Sequence, residues 1–221
     1  MLTIDFKKLP EAIIFDFDGV ILDTARSKTD AFALCYQGES EEKIRQVIDY
    51  QERHGGIGRK QKFEYFEAHV FGRRVDAHRI ELLCERFGAI VEQGMRDAPF
   101  VEGARELLAV LRGRLPLHIV SGMPEIDLLT VLEDRDLSQF FVSAAGSPKT
   151  KIDEFRRIME QGHNAPHSIL AIGDSRTEFD AAVELGIPFL AIVADDAPDF
   201  FPQDVVRYRN IADLAKGEWR T

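Results

Sequence analysis

Cysteine is scarce in this sequence. The two present, Cys35 and Cys84, lie far apart and neither belongs to a C-x-x-C pair, so free, mostly buried thiols are expected rather than a disulfide framework. Long apolar runs are also missing. The longest are strand-sized, which excludes a bilayer span and a membrane partner. The opening stretch, MLTIDFKKLPEAIIF, lacks an extended apolar core followed by a small-residue cleavage site, and these three features together lead to the expectation of a cytoplasmic location. Positive charge is in deficit: 28 Lys and Arg face 38 Asp and Glu, a formal net charge of −10. That balance disfavours a surface that tracks a phosphate backbone, so no nucleic-acid partner is expected. The six histidines form no metal-binding spacing. Internal repeats and low-complexity stretches are absent too.

What remains is an ordinary folding composition, 45% hydrophobic and 30% charged, in a length that suits one large domain or a domain with an insert. Five short apolar runs, at residues 13–17, 117–120, 140–142, 169–172 and 189–193, read as strands. Most lack polar alternation, as strands covered on both faces do. Helical patterns at 103–111, 151–159 and 178–185 separate the later ones, the last stopped by Gly186 and Pro188. Strands alternating with helices imply a parallel sheet. The interval 22–96 differs: it is charged, helix-rich and without a convincing strand. Segments 40–53 and 63–71 read as amphipathic helices broken by the glycine-rich HGGIGR. The expected fold class is α/β, a Rossmann-like three-layer core with a parallel sheet in the order 3-2-1-4-5, plus an inserted α-helical cap. The expected division is 1–21 and 97–221 for the core and 22–96 for the cap, which would form a lid over the carboxyl edge of the sheet.

The residues after each strand carry the chemistry. Asp16, Phe17, Asp18 and Gly19 follow the first, Ser121 and Gly122 the second, GSPKTK the third, and Gly173, Asp174 and Ser175 the fourth, with Glu178 one turn later. In a parallel sheet these ends share one edge, where open α/β folds bind ligands. Asp16 and Asp18 are two apart and project to the same side of an extended chain. Gly19 permits a sharp turn and a close approach to a ligand. Carboxylates gathered this way repel unless a cation sits among them. An oxygen-rich set suits Mg²⁺, assigned to Asp16, Asp174 and the main-chain carbonyl of Asp18. The bland alternative, polar turns at strand ends, fits poorly with a carboxylate so near a buried run.

The strings FDFDGV, IVSG, GSPKTK and IGDSRTEFDAA, in that order over nearly the whole chain, resemble the haloacid dehalogenase superfamily in its phosphatase branch with a helical cap. The resemblance implies a nucleophilic Asp16 that forms an aspartyl-phosphate and an acid/base Asp18. It further implies a phosphoryl-binding Ser121, Gly19 and Gly122 close to the substrate, a charge-stabilising lysine and a metal-binding Asp174. Ser175 and Glu178 would stand behind the ligands. Glu178 occupies a position where many relatives carry aspartate, which leaves its role open. Lys149 has the spacing of relatives with a K-P-x-P signature, but no proline follows it. Lys151, at the start of the next helix, fits GSPxxK better and is favoured. GGIGR resembles a cap loop of β-phosphoglucomutase-like relatives, so Arg59 could hold a second anionic group of the substrate. The equal alternative is a solvated arginine at a helix start.

The function implied is a Mg²⁺-dependent phosphohydrolase acting on a small phosphorylated metabolite. A phosphomutase and a non-catalytic phosphate-sensing protein are the alternatives, and a 2-haloacid dehalogenase is disfavoured by Asp18. The sequence leaves the substrate and the oligomeric state unread.

Overall fold

The computed structural model describes residues 9–54, 57–195 and 199–212. In chain order the elements are β1 (Ala12–Phe15), α1 (Ala25–Cys35), α2 (Glu41–Arg53), α3 (Arg59–Tyr65), a π-helical turn (Phe66–Val70), α4 (Ala77–Asp97), α5 (Ala104–Leu111), β2 (Leu117–Pro124), α6 (Glu125–Asp134), β3 (Ser143–Ser147), α7 (Lys151–Gly162), β4 (Ile169–Gly173), α8 (Arg176–Leu185), β5 (Phe189–Ile192) and β6 (Val206–Tyr208). They pack as two compact units. One holds the described residues up to Asp23 and from Pro99 onward; the other is Thr24–Ala98.

The first unit is an α/β, Rossmann-like fold around a six-stranded sheet of order β3-β2-β1-β4-β5-β6. All five pairings are parallel. The central strands are apolar throughout because both faces are covered. β1 and β4, AIIF and ILAIG, are buried at every position. Ala12 and Ile14 of β1 join Ala171 of β4, Ala191 of β5, Phe155 and Ile158 of α7, and Ala181 and Ala182 of α8 in one core. Ile13 and Phe15 point to the opposite face, where Phe15 meets Phe141 edge-on with ring centroids 6.4 Å apart.

Two strand expectations change. The apolar run at 140–142 is not a strand. Phe140 closes a 3₁₀ turn, Ser138–Phe140, and Val142 is 70% exposed. The third strand is instead Ser143–Ser147, built from serine, alanine and glycine. Small residues suit it because Gly146 lies against α6: a Cβ there would come within 2.5 Å of the Met123 carbonyl oxygen and 2.7 Å of Glu125 Cα. The sixth strand, β6, adds to the expected five. At its centre Arg207 donates to the carbonyls of Phe201 and Pro202 at 2.7 Å, to that of Val205 at 2.8 Å, and to Asp199 Oδ2 at 2.8 Å.

His118, in β2, sits beside Ser143 Oγ at 2.8 Å. Burial, then the nearby Arg157 charge, push its imidazole from 6.5 down to about 4. The neutral ring is the folded form, so the unfolded chain binds the extra proton between those two values. Its contribution is complete above pH 6.5 and is lost as the pH falls toward 4. Urea unfolding at pH 7.5 and 4.5 should show His118→Leu losing less stability on acidification than wild type, by on the order of 2 kcal/mol. Equal losses would contradict this.

The second unit is wholly helical among its described residues. Ser40 Oγ caps α2 by accepting from Lys43 N, and Asp76 Oδ1 caps α4 by accepting from Arg79 N. Its core is aromatic: the Phe32 ring lies 5.1, 5.6 and 4.3 Å from those of Phe63, Phe66 and Phe87. The helix expected over 63–71 begins earlier, at Arg59, and its last turn widens into the π form, where Phe71 N bonds to Phe66 O. Glu67 in that turn is fully buried and paired with Arg79 at 2.5 Å. The unit starts and ends two residues later than the expected 22–96. Leu22 pairs with both Asp18 and Phe100 and so belongs to the sheet unit, and Asp23 N donates to Pro99 O where the chain leaves and returns. Cys35 and Cys84 are free. No described helix is long and apolar enough to cross a membrane.

Candidate active site at the carboxyl ends of the strands

β1 ends at Phe15, and Asp16 N still donates to Ile172 O of β4 at 2.9 Å. The chain then turns. Ile21 N and Leu22 N both return to Phe17 O, and Gly19 N to Leu22 O. Gly19 takes φ +72°, and a Cβ there would overlap Oδ2 of Asp174 and stand 2.8 Å from its Cγ. Glycine at this position is therefore demanded twice, by conformation and by the carboxylate from β4. Asp16 is buried, and its Oδ1 accepts from Phe17 N at 2.7 Å.

The hydroxyl comes from an irregularity in β2. Val120 pairs with Ala145, and the next pair is Pro124 with Ser147, so four steps on β2 oppose two on β3. The surplus residues form a bulge, the device by which strands re-aim side chains beside active sites. Ser121 lies in it, buried, with its Oγ accepting from Met123 N at 3.1 Å and a long contact of 3.4 Å to Asp18 Oδ2. Gly122 is exposed, with open space where a Cβ would stand.

The two candidate lysines separate cleanly. Lys149 is half exposed and pairs with Glu125 at 2.6 Å. Lys151, the first residue of α7, reaches back under the strand ends. Its Nζ donates to Asp16 Oδ1 at 2.8 Å, to the Val120 carbonyl at 2.5 Å and to Glu178 Oε1 at 2.5 Å. Thr150 sets this direction by capping α7, its Oγ1 accepting from Asp153 N at 3.2 Å.

Burial first, then repulsion from Glu178, raise the Asp16 carboxyl from 3.8 to about 7, with Lys151 offsetting part of the rise. Burial and the neighbouring Asp16 and Glu178 push Asp174 well above the usual carboxylate range. Burial opposes charge on Glu178 too, but Lys151, Ser175 and Thr177 outweigh it and hold that carboxyl at about 2. Lys151 loses solvation on burial, yet Asp16 and Glu178 keep it charged and above the ordinary lysine range. One ammonium thus serves a three-carboxylate cluster. Oxygens of Asp16, Asp174 and Glu178 all lie within 4.8 Å of one another. This donor set is all oxygen, over-supplied with negative charge and short of cations, which fits a hard divalent ion.

The geometry therefore brings Asp16, Asp18, Ser121, Lys151, Asp174, Ser175 and Glu178 to one sheet edge. Ser175 Oγ donates to Glu178 and lies 2.9 Å from Thr177 Oγ1. Arg59 belongs to the helical unit, where its guanidinium lies 5.9 Å from the Phe87 ring. Gly55 and Gly56 of the HGGIGR loop fall outside the described residues. Sequence reasoning missed two contributors: the Val120 carbonyl, which accepts from Lys151, and Thr177, whose hydroxyl donates to Glu178. The first is a main-chain atom with no sequence signal. Thr177 could have been suspected from its place directly before Glu178.

A family model for haloacid dehalogenase-like hydrolases matches residues 10–186. The phosphoglycolate phosphatase of Escherichia coli K12 is 29% identical over 143 residues, covering 61% of this chain and 56% of the relative. The chain thus spans little more than half the length of that curated relative. Among solved structures, the HAD hydrolase YfnB of Bacillus subtilis, bound to magnesium, matches with a TM-score of 0.73 at 19% identity, covering 95% and 98% of the two chains. CbbY of Rhodobacter sphaeroides, in complex with phosphate, matches at 0.73 and 18%, covering 95% and 99%. At such identities the structural matches speak for the fold alone.

Proposed function

The chain belongs to the haloacid dehalogenase-like hydrolases, and from that membership we propose that it hydrolyses a small phosphate monoester, with Asp16 as nucleophile and Mg²⁺ as cofactor. The observation that carries this reading is the Lys151 ammonium shared between Asp16 and Glu178 beside the Asp174 carboxyl.

Two donors occupy Oδ1 of Asp16, which directs Oδ2 toward the phosphorus. Oδ2 attacks, the ester P–O bond breaks, and Asp18 gives its proton to the departing alkoxide. Water then attacks the phosphorus of the aspartyl-phosphate, Asp18 takes a proton from that water, and the P–Oδ2 bond breaks to release inorganic phosphate. Ser121 Oγ binds a phosphoryl oxygen, and the Lys151 ammonium, whose three donors are engaged by Asp16, Val120 and Glu178, stabilises the developing charge through its field. Asp16, Asp174 and the Asp18 main-chain carbonyl would hold Mg²⁺. When bound, it neutralises the approach of a carboxylate to a phosphate dianion and orients the group for in-line transfer. Glu178 serves chiefly to hold Lys151.

The substrate proposed is a small phosphorylated acid or sugar. The test is a panel of such esters, 2-phosphoglycolate among them, assayed for inorganic phosphate with Mg²⁺ and with EDTA and followed in parallel by ³¹P NMR. EDTA-sensitive phosphate release supports the hydrolase. An isomerised sugar phosphate without phosphate release would replace it with a mutase. No turnover at all, with a stable beryllofluoride adduct, would replace it with a phosphate sensor.

A further inference from the structure

Glu125 and Lys149 take no part in the mechanism above, yet they stand where the two strands that deliver its hydroxyl and its ammonium come together. β2 supplies Ser121 from within the bulge; β3 leads through residues 147–150 into α7 and supplies Lys151. The bulge breaks the regular β2–β3 ladder between Val120 and Pro124, so ladder hydrogen bonds do not fix the spacing of the strands there. Two side-chain ties span the gap instead. On one flank, Lys151 Nζ holds the Val120 carbonyl at 2.5 Å. On the other, Glu125 Oε2 accepts from Gly146 N at 3.3 Å and from Lys149 Nζ at 2.6 Å. Between the ties the backbones touch: Gly146 lies so close to Met123 and Glu125 that a Cβ would come within 2.7 Å of three of their main-chain atoms.

We infer that Glu125, acting with Lys149, is a positioning residue: its carboxylate fixes the Gly146–Lys149 turn against the start of α6, and thereby fixes where Lys151 meets Asp16 and Glu178. The inference rests on the phosphohydrolase reading for its kinetic consequence but not for its structural one. Lys149 is 48% exposed and Glu125 31%, and a pair so open to solvent adds little to folding. Its effect is expected in the placement of the site rather than in stability. A displacement of the ammonium by a fraction of an ångström weakens its stabilisation of the transferring phosphoryl group while leaving ground-state binding largely intact.

The experiment compares wild type with Glu125→Ala, Glu125→Gln, Lys149→Met and the Glu125→Ala/Lys149→Met double variant. With the ester that the panel selects, Glu125→Ala should lower kcat by about tenfold with KM within about twofold of wild type. Glu125→Gln keeps an acceptor for Gly146 N and should recover about threefold of that loss. The double variant should be no slower than Glu125→Ala, since the two residues act as one tie. Tm should stay within about 3 °C throughout. A second readout needs no turnover: the ¹⁵N side-chain ammonium resonance of Lys151, assigned by its loss in Lys151→Met. Its proton exchange should be slow in wild type and faster in Glu125→Ala. Unchanged exchange together with unchanged kcat, or a fall in kcat matched by a collapse in Tm, would overturn the inference. Absence of turnover in wild type would defeat the phosphohydrolase reading, and the resonance would still decide this one.

Discussion

Asp16→Asn is expected to cut phosphate-ester turnover by about 10⁴-fold or more while leaving a folded and, without metal, more stable protein. The amide matches the carboxylate in size, so the Phe17 N–H and Lys151 Nζ keep an oxygen to bond. What goes is the proposed anionic nucleophile and one of three crowded negative charges. With its carboxyl raised from 3.8 to about 7, folded Asp16 binds a proton that the unfolded chain has released between those values. Metal-free stability therefore falls as pH rises from about 4 to 7, and remains lowered above 7. Removing the ionisable group lifts that penalty, so the gain in Tm should be largest above pH 7 and should vanish near pH 4. Mg²⁺ should raise the Tm of wild type more than that of the variant. A variant that retains turnover within tenfold of wild type would rule out Asp16 as the nucleophile, and a lower metal-free Tm at pH 8 would contradict the electrostatic account.

Lys151→Met should be damaging in both respects. The methionine fills a comparable volume but withdraws the cation shared by Asp16 and Glu178. Breaking a buried pair by removing one partner costs about 3 kcal/mol because the other charge stays buried. Glu178, held at about 2 by Lys151 and by the hydroxyls of Ser175 and Thr177, should move sharply upward. Turnover should fall by about 10³-fold, since the group proposed to stabilise the transferring phosphoryl oxygens is gone. Urea unfolding in EDTA measures the first effect and phosphate release the second. Adding Glu178→Gln to Lys151→Met should restore much of the lost stability and none of the activity. Stability of Lys151→Met equal to wild type in EDTA would show that the ammonium is not what holds the carboxylates together.

The readability of this chain tracked how local each determinant is. Asp16, Asp18 and Asp174 stand immediately after apolar runs, and strand ends in a parallel sheet share an edge whatever the loops do. Residues 103–111 and 151–159 read as helices because their apolar spacing is set within a few turns. Lys149 and Lys151 stayed ambiguous because spacing alone fits both, and the choice depends on which way α7 starts after its Thr150 cap. The third strand was misplaced because Phe140, Phe141 and Val142 carry the apolar signal while the real strand carries small residues chosen for close approach to α6. The β2 bulge left no mark in composition, since a register shift is a relation between two distant segments. The π turn at Phe66–Val70 was equally silent: its apolar residues follow helical spacing until one hydrogen bond skips a residue.

β6 closes the sheet in a particular way. It is three residues long, and its middle residue turns its guanidinium onto the carbonyls of the segment just before it. A border strand ordinarily offers a row of main-chain groups on which another chain could grow. Here that row is only three residues long, too brief to serve as much of a template for extension.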